Sequence, residues 1–143
     1  MLVREAKIRW IKRGEVEGQV VGPEQAAAAF RMVIGDDPRE HVCVLHLDTR
    51  HGVISVEVVT VGTINQSLVH PREIFRTAII RSATSIVIAH QHPSGDATPS
   101  EEDINTTRAL VAAGRVIGIQ VMDHIVVGYE SATSIRSLYP AMF

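Results

Sequence analysis

The chain has one cysteine, Cys43, among its 143 residues. A lone thiol excludes an internal disulfide and any cysteine-based metal cluster within one chain. Its neighbours Val42, Val44 and Leu45 place it in the core. An excess of charge of either sign is also lacking: 14 Lys and Arg stand against 16 Asp and Glu, a net charge of −2 with pI near 6.4. That balance argues against a strongly basic nucleic-acid surface. No apolar run approaches the roughly 20 residues of a membrane span. The opening MLVREAKIRW carries charges where a secretory signal would need an apolar core, so a cytoplasmic protein with no membrane partner is expected. Internal repeats, linkers and low-complexity tracts are absent from the sequence. What remains is ordinary globular composition, 45% hydrophobic and 21% charged, in a length that suits one domain with a real core.

The apolar patterning lays out an α/β chain. Residues 1 to about 20 alternate loosely through Val3, Ile8 and Trp10 and read as a strand or a hairpin turning at Arg13-Gly14, so residues 1–22 are taken as an N-terminal strand extension. Pro23 opens a helix with Ala26, Phe30, Val33 and Ile34 on one face and Gly35 at its end. His41 to Asp48 and Val53 to Val61 form two β-rich runs about a turn, an antiparallel hairpin. Pro71 starts a second helix with Ile74, Phe75, Ala78 and Ile79 inward. A third runs from Glu101 to Gly118 and hands over to a strand at Ile119 to Met122. Ile125 to Val127 continues the sheet or begins another strand, and Ser134 to Leu138 forms a short last helix. A mixed β-sheet sandwiched by helices is the expected architecture, with a hairpin on one side and a βαβ unit on the other.

One stretch, SIVIAHQHPSGDATPSEED from Ser85 to Asp103, concentrates the chemistry. Ile86 to Ala89 form a short continuous apolar run, the pattern of a strand buried on both faces. In extended chain, residues i and i+2 share a face, so His90 and His92 project to one side and Gln91 to the other. Pro93, Ser94 and Gly95 break the strand, Pro99 sets up a helix entry, and the first turn of that helix returns past the histidines with Asp103. Two imidazoles and a carboxylate make a three-ligand set that leaves a tetrahedral position open, the mark of a catalytic rather than a structural zinc site. Zinc would lower the pKa of its water from about 15.7 to roughly 7 and polarise a carbonyl. The competing reading is that Ser100-Glu101-Glu102-Asp103 is only a capping box. That explains Ser100 but not a His-x-His at the end of an apolar strand.

His90-x-His92, seven residues, Ser100, two residues and Asp103 resembles the JAMM (JAB, or MPN+) metalloprotease motif H-x-H-x7-S-x2-D, with every position present. The wider string HQHPSGDATPSEEDI, with HPRE at His70 to Glu73 and DHIVVG at Asp123 to Gly128, resembles the RadC-like branch of that superfamily from about Pro23 to Leu138. Gln91 stands where the branch usually has Asn. Longer RadC-like proteins carry a helix-hairpin-helix region ahead of the JAB domain; with some twenty residues before Pro23, this chain looks like a short, stand-alone form of residues 23–143. The resemblance implies a JAB/MPN, cytidine-deaminase-like fold, a Zn2+ cofactor held by His90, His92 and Asp103, and a peptide or protein substrate. It also selects Glu40, in the Arg39-Glu40 pair ahead of the first core strand, as the acid that shuttles protons, over Glu57 and Glu73. Ser100, by the same analogy, steadies a tetrahedral oxyanion.

His41, His46 and His51 fall on or beside the hairpin, and His70 fits a cap on the Pro71 helix. Asp123-His124 either orients a metal ligand from behind or is a packed polar turn. Three function classes follow: a zinc-dependent peptidase or isopeptidase, a DNA-repair-associated RadC-like protein, and a non-catalytic metal-binding scaffold. Strong nucleic-acid binding is not expected from the composition. A zinc deaminase is excluded because its P-C-x-x-C ligands are missing.

Overall fold

The computed structural model describes residues 2, 3, 9, 18–61 and 69–143. In chain order the elements of the described residues are α1 (Pro23–Ile34), β1 (His41–Leu47), β2 (Val53–Val61), α2 (Pro71–Ile80), β3 (Ser85–Gln91), α3 (Glu101–Ile117), β4 (Gln120–Val127), β5 (Ala132–Ser134) and α4 (Ile135–Leu138), followed by a 3-10 turn at Pro140–Met142. Among the described residues, five strands form one mixed sheet in the order β2-β1-β3-β4-β5. Pairings β1–β2, β1–β3 and β4–β5 are antiparallel, and β3–β4, the ends of the βαβ unit, are parallel.

Burial explains the apolar runs. β1 is buried along its whole length and β3 along all but Gln91, because both lie inside the sheet with helices on each face. Alternation along these strands splits the core in two. Val42, Val44, Ile86 and Ile88 pack against Ile74, Phe75 and Ala78 of α2 and Leu110 and Val111 of α3. Cys43, Leu45, Leu47, Val87 and Ala89 pack against Ala26, Ala27, Ala29 and Phe30 of α1. Phe30 and Phe75 are each 1% exposed, and truncating either to Ala would cost about 3–5 kcal/mol. Burial, followed by the charge of Glu57, pushes the Cys43 thiol up to about 12, so it is an inert core residue.

Local chemistry sets the helix ends. α1 and α2 begin with Pro at their first turn, and the His70 ring accepts the Arg72 N–H as the cap of α2. α3 stops at Gly118, whose φ of 84° is left-handed. Two alternatives that the sequence leaves open are decided here. β4 is one continuous strand from Gln120 to Val127, so Asp123-His124 is not a turn. Its pairing with β3 steps from Val121 to Asp123 opposite Ile86 and Val87, leaving Met122 as an extra residue. The chain then turns into β5, a three-residue strand too short to carry a sequence signal. Of the N-terminal extension, the Arg13-Gly14 turn lies outside the described residues; Gln19 bridges Gly52, and the Val20 N–H donates to the His51 carbonyl. Among the described residues no helix is long and apolar enough to cross a membrane.

Candidate metal centre

The C-terminal end of β3 and the N-terminus of α3 meet at His90, His92 and Asp103. His90, 3% exposed, lies on the face that packs against α3, and His92 follows one residue past the strand. The loop between turns sharply, with the Gly95 N–H donating to the His92 carbonyl. α3 then opens with a complete capping box: Ser100 Oγ accepts the Asp103 N–H at 3.1 Å, and Asp103 Oδ2 accepts the Ser100 N–H at 2.8 Å. The cap that the sequence offered as a rival explanation is therefore present, and it fixes the carboxylate that faces the histidines.

Three side-chain atoms converge. His90 Nε2 and His92 Nε2 are 3.0 Å apart, His92 Nε2 and Asp103 Oδ2 3.0 Å, and His90 Nε2 and Asp103 Oδ1 3.1 Å. Neighbouring donors around a tetrahedral zinc with bonds of about 2.0–2.1 Å lie about 3.3 Å apart, so the triangle has nearly the size such an ion requires. His92 Nδ1 is 3.0 Å from the Asp96 carbonyl. A carbonyl only accepts, so the ring proton sits on Nδ1 and Nε2 presents a lone pair to the carboxylate. Electron-rich atoms this close need a positive charge among them. At Asp103 burial works to raise the carboxyl, but the hydrogen bond and charge of His90 and the Ser100 N–H outweigh it and hold it well below the usual carboxylate range. The His90, His92 and Asp103 group can therefore bind a metal ion.

Glu40, 8% exposed, lines a small cavity together with His90, Asp103 and His124, walled by Val42, Ile88 and Leu110. Burial raises its carboxyl above the ordinary value; the charges of His90 and His92 oppose this and Asp103 reinforces it. The antiparallel register that sets Val42 opposite His90 brings Glu40 to this end of the sheet. Gln91, on the other face, donates to the carbonyls of Asp37 and Arg39 and ties down the segment leading to Glu40. The rival acids sit elsewhere: Glu57 faces His46 at 4.0 Å and Arg76 at 3.7 Å, and Glu73 pairs with Arg76 at 3.2 Å.

A family model described as the RadC-like JAB domain matches residues 20–139. The chain belongs to that family. It is 47% identical over 115 residues to a UPF0758 protein of Desulforamulus reducens, covering 80% of this chain and 51% of the relative. Over 123 residues it is 46% identical to a UPF0758 protein of Desulforudis audaxviator, covering 86% and 54%. UPF0758 protein STH371 of Symbiobacterium thermophilum is 58% identical over 97 residues, covering 68% and 42%. The chain thus spans about half the length of the curated relatives it matches.

Within this JAB domain the pair Asp123-His124 divides. His124 Nε2 lies 2.8 Å from His90 Nδ1, and burial, followed by the charge of His90, pushes the ring down to about 3. Asp123 turns the other way. Its carboxylate accepts the Ser134 hydroxyl at 2.6 Å, the Arg136 N–H at 3.0 Å and the His124 N–H at 2.7 Å, and so anchors the start of α4. Three further residues had drawn no notice in the sequence. Asp96 fixes the His92 ring through its carbonyl. Tyr129 lies over Gly95 and braces the motif loop against the turn after β4. Thr107, fully buried, contacts His124 at 2.6 Å. Thr107 did carry a signal: it stands four residues after Asp103, on the same face of α3.

Proposed function

We propose that this JAB domain is a zinc-dependent peptidase or isopeptidase, with Glu40 as general base, acting on a peptide or protein in the cytoplasm. The observation that carries the reading is the triangle of His90 Nε2, His92 Nε2 and Asp103 oxygens with edges of 3.0–3.1 Å, beside a buried acid in one cavity. Zinc bound there supplies Lewis acidity toward the scissile carbonyl and an activated water. His90, His92 and Asp103 would hold it. Glu40, whose raised pKa suits a group that takes and returns protons, accepts the proton of the attacking water and delivers it to the leaving amine. The Ser100 hydroxyl accepts the Asp103 N–H, which does not use its own proton, so it can donate to the tetrahedral oxyanion.

Elemental analysis after zinc loading tests the ligands: one zinc per chain is expected, with loss in His90→Ala, His92→Ala and Asp103→Ala. Equal zinc in these variants and wild type would remove the site. Glu40→Gln should keep the metal and lose hydrolysis, and, being inactive, should trap cleavable partners from a lysate for identification by proteomics. Loss of zinc in Glu40→Gln would make Glu40 a ligand or a structural acid instead. The DNA-associated reading predicts tight duplex binding at about 0.15 M salt; with a net charge of −2, weak binding that collapses as salt rises is expected.

A further inference from the structure

Behind the metal centre a buried polar chain runs from α3 to β4 to β3. Thr107 Oγ1 is 2.6 Å from the Asp103 carbonyl and 2.6 Å from His124 Nδ1; His124 Nε2 is 2.8 Å from His90 Nδ1. Thr107 is 0% exposed, His124 4% and His90 3%, so bulk solvent supplies no alternative partners. We infer that Thr107 is a positioning residue: through His124 it fixes the ring form in which His90 offers Nε2 to the metal, an inference that rests on His90 being a ligand.

The direction of each proton follows from the end of the chain that cannot change. A peptide carbonyl only accepts, so the Thr107 hydroxyl proton points at the Asp103 carbonyl. The hydroxyl oxygen then faces His124 Nδ1 with a lone pair, and His124 must carry its proton on Nδ1. A neutral imidazole has one N–H, so His124 Nε2 is bare and accepts from His90 Nδ1–H. His90 then has Nε2 free to offer to a metal ion placed between it, His92 and Asp103. Reversing any link would set two lone pairs against each other at 2.6–2.8 Å or place an N–H where the metal would bind. The anchor is the main chain of Asp103, whose carboxylate faces the same His90 Nε2 at 3.1 Å. One residue thus sets the ring form of its fellow ligand through its carbonyl and offers its own donor through its side chain. A threonine that merely returns its hydroxyl to the carbonyl four residues back, a common habit in helices, would leave His90 indifferent to it.

The test uses the full chain in three forms: wild type, Thr107→Val, which keeps the shape and deletes the hydroxyl, and Thr107→Ser, which keeps the hydroxyl. Nitrogen-15 correlation spectra of the histidine rings in metal-free wild type should show His90 and His124 each carrying a proton on Nδ1, with His124 Nε2 bare. In Thr107→Val the buried His124 Nδ1–H has no acceptor. Both rings should then shift toward the Nε2–H form while His92 stays protonated at Nδ1, and zinc affinity by competition with a chelating dye should fall about 10- to 100-fold. Thr107→Ser should restore both readouts. If Thr107→Val does not fold, the ring forms of wild type and Thr107→Ser alone decide: His90 without a proton on Nδ1 in either overturns the inference. Unchanged zinc affinity and ring spectra in a folded Thr107→Val also overturn it while leaving the zinc reading intact. Failure of wild type to bind zinc overturns that reading, and the inference with it, whatever the ring spectra show.

Discussion

His46 makes the acid stability of this domain a test of its core electrostatics. The ring sits on β1 with no exposed surface, its Nδ1 2.9 Å from Ser55 Oγ and its Nε2 4.0 Å from a Glu57 oxygen. Burial, and after it the positive charge of Arg81, pushes its pKa from 6.5 down to about 4, while the Ser55 contact works the other way. The folded value is depressed, so on acidification the unfolded chain takes up a proton that the fold refuses. The imidazole costs nothing above about pH 6.5 and drains stability as pH falls from there toward 4. A shift of about 2.5 units at about 1.4 kcal/mol each amounts to about 3 kcal/mol at the bottom of that window, a large part of the 5–15 kcal/mol typical of a domain. The assay is urea unfolding at fixed ionic strength, without added metal, at intervals from about pH 7.5 to about pH 4.5, on wild type and His46→Gln. Any stability His46→Gln loses at neutral pH is a constant offset; the observable is the slope. His124, also buried and neutral, titrates in the same direction in both proteins and cancels in the comparison. Wild type should lose about 2–3 kcal/mol more than the variant across the range. Parallel curves would refute the reasoning and mean that His46 takes its proton inside the fold, with Glu57 as counter-charge.

Three other outcomes are expected. Gly114→Ala should gain up to about 1 kcal/mol of helix propensity, but its Cβ would stand 2.5 Å from the Ile119 carbonyl and 3.2 Å from the Phe75 ring; a net loss of about 1–3 kcal/mol in urea unfolding is expected, and a stabilised variant would show that α3 can slide away from the sheet. Ser100→Gly should cost only a few tenths of a kcal/mol, because Gly tolerates the cap backbone, and should bind zinc normally while turning over about 10²- to 10³-fold more slowly on a trapped substrate; full activity would reduce Ser100 to a cap. Asp123→Asn should lower the melting temperature by weakening the start of α4 and leave zinc content unchanged; loss of zinc would bring Asp123 back behind the metal centre.

Much of the fold was legible because its signals are local. Pro23, Pro71 and Ser100 open helices and Gly118 closes one, since capping acts within a turn of chain. The continuous apolar runs of β1 and β3 are interior strands, since only burial on both faces tolerates them. The converging triad was legible for the same reason: His90, His92 and Asp103 fall within one strand end, one loop and one helix turn, so the i, i+2 rule and the capping box suffice to aim them at one point. Glu40 was chosen by resemblance, because spacing cannot select one acid among sixteen.

Tertiary structure decided the rest. Glu40 reaches the cavity through the β1–β3 register, which sets Val42 opposite His90 across 48 residues of chain. His124 faces His90 because β4 runs unbroken past the extra residue Met122, whereas the sequence left a continuing strand, a new strand and a turn all open there. Asp123, its neighbour, accordingly serves α4. The tautomer chain from Thr107 needs α3, β4 and β3 together, and each link is a hydrogen bond shorter than 3 Å. The physical reason is that side-chain direction in a sheet flips with a slip of one residue. Composition and periodicity say that a strand forms. The register and its bulge say which side chain meets the metal site and which turns its back on it.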